Sequence, residues 1–83
     1  MSEAFTVRLF GPAREAVGAA EVALSLASPA TAGAVVTSLA RLHPALAPLL
    51  PRSRVAVNRA YVEAATRLDP GDEIAIIPPV SGG

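Results

Sequence analysis

Leu68-Asp69-Pro70-Gly71-Asp72-Glu73-Ile74-Ala75-Ile76-Ile77-Pro78-Pro79-Val80-Ser81-Gly82-Gly83 closes the chain with a turn, a strand and a tail. Pro70 and Gly71 take the second and third places of a tight turn, as a type II turn prefers. Glu73–Ile77 is rich in β-branched residues and alternates: Ile74 and Ile76 share one face, Ala75 and Ile77 the other. Pro78 and Pro79 have no N–H to donate and hold φ near the polyproline value, so the strand stops there and the tail points away. Six residues, fully extended, reach roughly 20 Å at about 3.3 Å each. Gly82 and Gly83 carry no Cβ and can enter a narrow channel. A frayed terminus is the ordinary reading of last residues. A stiff diproline followed by a terminal diglycine suits a different one, a carboxylate delivered to a partner.

Working back from the tail, Arg54–Asn58 reads as a strand led by Val55 and Val57, with Asn58 able to turn the chain. Tyr61-Val62 opens a weakly patterned segment. Near the start, Ala4–Phe10 alternates, with Phe5, Val7 and Leu9 on one side and Thr6, Arg8 and Phe10 on the other. Gly11-Pro12 ends that strand, and Pro12–Val17 has room for one helical turn before Gly18, with Arg14-Glu15 in a loop. Glu21–Leu26 alternates again, placing Val22, Leu24 and Leu26 inward, so the first two strands form a hairpin with a wide loop. Thr31 suits a helix N-cap, with Ser28-Pro29 as a competing start. Val35, Leu39, Leu42 and Leu46 recur at helical spacing, and Pro44 ends the helix near Leu42 or His43. Ala45–Pro51 reads as a compact turn pinned by Leu46, Leu49 and Leu50. Two strands, one helix, then strands to the end make an α+β domain with one main helix on one face of a mixed sheet. The expected core is Phe5, Val7, Leu9, Val22, Leu24, Val35, Leu39, Leu42, Val55, Val57, Ile74 and Ile76.

Composition narrows the chemistry. At 83 residues the chain is one small domain. Its 7 basic residues are all Arg and are balanced by 7 acidic ones. A net charge of zero gives no field to attract nucleic acid or an anionic membrane. The absence of Cys excludes disulfides and thiolate chemistry, and a single His builds no metal cluster, so no metal site is expected. Met1-Ser2-Glu3-Ala4 lacks the basic region of a signal peptide, and no long apolar run occurs. The expectation is a cytoplasmic domain.

The terminal run also resembles the end of the molybdopterin synthase small subunits, within the ubiquitin-like sulfur carriers. In that family an acidic turn, an apolar strand, two prolines, Val, a small hydroxyl residue and Gly-Gly close the chain. Val7–Gly18, with Arg14-Glu15, and Ala56-Val57-Asn58 are similar too. The resemblance implies a β-grasp of four to five strands over residues 1–78, with 79–83 as an extended tail. It also implies a sulfur carrier. The carboxylate of Gly83, reached through Gly82, would be adenylated by an E1-like enzyme that uses ATP, then converted to a thiocarboxylate with a sulfur donor protein. The tail would then enter the large subunit of the synthase, in a heterotetramer, and pass sulfur to cyclic pyranopterin monophosphate in molybdenum cofactor biosynthesis. No cofactor would be bound by the carrier itself. A carboxylate becomes a good electrophile only when its oxygen joins a leaving group, and a chain without Cys can still carry sulfur on its own terminus. The catalytic acids, bases and oxyanion donors would belong to the partners.

By the same resemblance, Phe10, Tyr61 and Ile77 match residues that dock onto the large subunit and the activating enzyme, with Pro78, Pro79, Val80 and Ser81 leading the tail inward. Strand parity alone puts Phe10 and Ile77 opposite the helix-facing set. Exposed apolar clusters often mark interfaces, although single exposed apolar residues are normal. His43, Gly11 and Gly18 read as structural, and Asp69, Asp72 and Glu73 as turn residues and a solvated strand start. Other functions fit the same tail: a sulfur carrier of thiazole or cysteine synthesis, a ubiquitin-like protein modifier, or a plain interaction module. Pro78-Pro79-Val80-Ser81 is most similar to the molybdopterin branch.

Overall fold

The structure, a computed structural model, describes residues 1–79. The tail positions Val80, Ser81, Gly82 and Gly83 lie outside the described residues. In chain order the elements are β1 (Ser2–Leu9), α1 (Gly11–Val17), β2 (Glu21–Ala27), α2 (Ala32–Leu42), β3 (Arg54–Val57), β4 (Ala60–Val62) and β5 (Ile74–Ile77). Two short 3₁₀ turns, Pro44–Leu46 and Leu50–Arg52, join α2 to β3. The strands form one mixed sheet in the order β2-β1-β5-β3-β4. β1 pairs with β2 antiparallel, and with β5 parallel, Val7 opposite Ile74 and Leu9 opposite Ile76. This is the β-grasp: the first and last strands sit side by side at the centre of the sheet, and the main helix covers one face.

Alternation decides which face is covered. Phe5, Val7 and Leu9 of β1, Val22, Leu24 and Leu26 of β2, and Ile74 and Ile76 of β5 are buried with Val35 and Leu39 of α2 in one apolar cluster. Helix α2 starts as its sequence predicts. Thr31 has extended backbone, and its Oγ1 accepts from the Ala34 N–H at 3.2 Å. Two further orphan N–H groups of the first turn find carbonyls in a neighbouring loop, Ala32 donating to Thr66 and Gly33 to Ala64, both at 2.9 Å. Pro29 lies ahead of the helix, so the alternative start at Ser28-Pro29 is not used.

Several expectations need correction. Leu42 is 54% exposed. Helical spacing put it on the buried stripe, but α2 ends there and the 3₁₀ turn brings Leu46 into the core with no exposure at all. Val55 is only partly buried against the core. Pro12–Val17 is part of a full helix starting at Gly11, so Arg14 and Glu15 are helical rather than in a loop. Tyr61-Val62 belongs to a strand, β4, which pairs antiparallel with β3 across the two-residue turn Asn58-Arg59. Both turn residues have positive φ, 51° and 70°, the signature of the type I′ hairpin turn, whose twist matches that of the flanking strands.

The Asp69–Asp72 turn forms as expected. The Asp72 N–H donates to the Asp69 carbonyl at 3.0 Å, and Gly71 adopts φ +96°, which the third position of a type II turn requires. Side chains then tie this turn to the β3–β4 hairpin. The Asp72 carboxylate accepts from the Asp69 N–H at 2.8 Å and from Asn58 Nδ2 at 3.1 Å, while Asn58 Oδ1 accepts from the Glu73 N–H at 3.0 Å.

Candidate partner-docking site at the root of the tail

The sheet face away from α2 is left open. Across its middle the register places Tyr61, Ala56, Ala75 and Arg8 in one row, running from β4 through β3 and β5 to β1. Two alanines at the centre, with long side chains around them, make a floor with walls. The result is a concavity of about 270 Å³ lined by Phe10, Ala56, Arg59, Tyr61, Glu73, Ala75 and Ile77. Ala56 and Ala75 are buried, whereas Phe10 and Tyr61 are 39% and 54% exposed. Exposed aromatic surface over a small-residue floor is a feature shared by many interaction surfaces.

The fold brings the three aromatic and aliphatic candidates together by separate routes. Phe10 follows β1 directly and keeps extended backbone, φ −132° and ψ 155°, so it continues the alternation onto the open face. Ile77 is the last residue of β5, opposite Arg54 of β3. Tyr61 arrives only through the β3–β4 hairpin. The tail leaves β5 beside this concavity. Pro78 and Pro79 turn to a second one of about 390 Å³, which they line together with Pro12, Ala13, Leu49, Arg52 and Ser53. Gly11, at φ +52°, lies beneath Pro78; a Cβ there would stand 3.4 Å from the proline Cγ. The positive φ explains a glycine at this position. The root of the tail thus runs between two hollows. Val80, Ser81, Gly82 and Gly83, which complete the expected site, lie outside the described residues.

Charge around the first concavity is uneven. Arg8 and Glu73 approach to 3.5 Å, both about half exposed, a pair of small energetic weight. The Arg8 guanidinium also stands 5.7 Å from the centre of the Phe10 ring. The Arg54 guanidinium lies 4.1 Å from the centre of the Tyr61 ring, a cation–π contact that also holds the aromatic side chain in place. Sequence reading missed Arg54 and Arg59. Parity opposite Val55 and Val57 could have placed Arg54 on the open face, but nothing in the sequence showed that Arg59 would stand at its rim. No group of three or more His, Asp or Glu among the described residues could hold a metal ion. No helix among them is long and apolar enough to cross a membrane.

Comparison with known proteins follows the same lines. The model of the ThiS family matches residues 7–83. The molybdopterin synthase sulfur carrier subunit of Dictyostelium discoideum is 34% identical over 86 residues, covering 100% of both chains. Among solved structures, the small archaeal modifier protein 1 of Methanosarcina acetivorans is 29% identical, with a TM-score of 0.84 over 100% of this chain and 99% of that one. The complex of subunits 1 and 2 of the molybdopterin-converting factor from Helicobacter pylori contains a chain 25% identical, with a TM-score of 0.65 and 100% coverage of both.

Proposed function

The chain belongs to the ThiS family, and on that premise we propose that it is the sulfur-carrier subunit of a molybdopterin synthase. The observation that carries this reading is similarity along the whole chain to a protein of that name. Its structural counterpart is the apolar hollow formed by Phe10, Tyr61 and Ile77 where the tail departs. The open face docks on the large subunit and on an E1-like activating enzyme, and Pro78 to Gly83 is the segment inserted into each. A solved complex of two molybdopterin-converting factor subunits contains a chain of this fold, which supports a large-subunit partner.

The chemistry falls to the terminal carboxylate of Gly83. One of its oxygens attacks the α-phosphorus of ATP in the activating enzyme and pyrophosphate leaves, giving an acyl adenylate. A persulfide on a donor protein then attacks the acyl carbon through its terminal sulfur, and AMP leaves. A thiol next attacks the donor-side sulfur of the resulting acyl disulfide, so that the S–S bond breaks, a new disulfide forms on the donor side and the thiocarboxylate is released. In the large subunit the sulfur passes to cyclic pyranopterin monophosphate. The described residues of this chain contribute docking and aim rather than proton transfer. Gly82 and Gly83 leave the acyl carbon unhindered.

A second reading is favoured by one observation, the 29% identity to a small archaeal modifier protein: covalent attachment of Gly83 to amines of other proteins. One experiment separates the two. The chain is expressed with its activating enzyme and a sulfur source, and its intact mass is measured. Gain of the mass difference between sulfur and oxygen, followed by molybdopterin formation with the large subunit, is the expected result. Conjugates of the chain with other proteins, without that mass gain, would replace the carrier by the modifier.

A further inference from the structure

We infer that the protein surface received by the open face carries a carboxylate that lands on the β3–β4 side of the hollow, against Arg59, so that docking is oriented by charge as well as by apolar fit. The inference rests on the reading that this face docks the large subunit. Its basis is the asymmetry of the rim. On the β1 side the guanidinium of Arg8 is already met by Glu73 at 3.5 Å. On the β3–β4 side, among the described residues, neither Arg54 nor Arg59 has a carboxylate within ion-pair distance. Arg54 is laid against Tyr61, and stacking leaves the in-plane N–H groups of a guanidinium open to accept a bidentate carboxylate.

Arg59 adds an independent argument. It is the second central residue of a two-residue hairpin turn, at φ +70°. A type I′ turn favours Asn-Gly there, because both residues must take positive φ. The chain has Asn58-Arg59. A side chain at this position costs backbone free energy that glycine would not, and such strain gathers at sites where the side chain is used. Here the side chain lines the docking hollow. With no net charge on the chain as a whole, these two cations can act on a partner only locally, over about one Debye length. They therefore set the orientation of the docked partner rather than steering it from afar.

The test uses the full chain and the purified large subunit from the same source. Affinity is measured by titration calorimetry at low salt and at about 1 M NaCl, where the Debye length falls to about 3 Å. Arg59→Glu should weaken binding on the order of tenfold at low salt and much less at high salt, because reversal sets like charges together. Arg59→Gly should also weaken binding, while its urea midpoint is unchanged or higher, since glycine relieves the turn. Arg41→Glu, on the exposed last turn of α2, should bind like the parent. Equal affinity for the parent, Arg59→Glu and Arg59→Gly at both salts would overturn the inference. Phe10→Asp keeps the two readings apart. If it weakens binding while the Arg59 variants do not, the docking face stands and the carboxylate is wrong. If none of these variants changes affinity, both readings fail.

Discussion

Asn58 offers the sharpest test of how the β3–β4 hairpin is held. Its φ is +51°. Its side chain donates to Asp72 at 3.1 Å and accepts from the Glu73 N–H at 3.0 Å. Asn58→Gly keeps the left-handed backbone and removes both side-chain bonds. At about 0.5–1.5 kcal/mol net for each hydrogen bond, and toward the low end because these are exposed, the cost is about 1–2 kcal/mol. Asn58→Ala removes the same bonds and also forces a Cβ into the left-handed region, adding about 1–2 kcal/mol. The alanine variant should therefore lose about 2–4 kcal/mol, a large part of the roughly 5–15 kcal/mol that holds a domain folded. Urea denaturation followed by circular dichroism reads the difference as a shift in midpoint at constant slope. Glycine and alanine variants of equal stability would show that turn geometry contributes nothing, and a glycine variant matching the parent would show the same of the side-chain bonds. Because Tyr61 follows three residues later, the alanine variant should also bind the large subunit more weakly under conditions where it remains folded.

Leu39, fully buried on the inner face of α2, should cost about 2–5 kcal/mol on Leu39→Ala; a denaturant melt superimposing on the parent would undo the core assignment. Phe10→Asp and Ile77→Asp should each weaken binding to the large subunit, because a charge is driven into an apolar contact. An unchanged calorimetric affinity, with native circular dichroism, counts against the patch. Deletion of Gly83, or addition of one residue after it, should abolish sulfur transfer in a molybdopterin-formation assay with little change in melting. One residue moves the acyl carbon by about 3.3 Å, and about 1 Å already costs on the order of 10²-fold; product formed at the parent rate would end the carrier mechanism. Gly82→Ala keeps the reach but adds a methyl group, and should slow the same assay; an undiminished rate would mean that the channel tolerates a side chain there.

Much of the site was legible because it depends on period and parity. Phe10 and Ile77 were assigned to the open face by counting along β1 and β5, and both line the concavity on that face. Tyr61 was singled out by resemblance, but its strand was not seen. Three residues of β4 carry too little alternation to register, and the turn before them lacks the Asn-Gly pair that announces a hairpin. Arg54 and Arg59 escaped for a related reason. An arginine in a sequence reads as a solvated charge, and its meaning here comes from neighbours on other strands. Leu42 shows the opposite failure: a correct helical period continued past the point where the helix still has a sheet to cover.

The sequence by itself determined the elements whose information is local. These are the alternating strands, the capped start of α2, the Asp69–Asp72 turn, and the place where two prolines must end β5. Each follows from the conformational limits of a few adjacent residues, so no distant contact can easily reverse it. Only the tertiary structure decided what those elements enclose. The parallel pairing of β1 with β5 brings residues from opposite ends of the chain together, and the β3–β4 hairpin closes the wall of the hollow. The tie between Asn58 and Asp72 holds that hairpin against the turn before β5. These arrangements depend on pairings between residues far apart in sequence, and their stability comes from surface buried jointly rather than from the preference of any one segment.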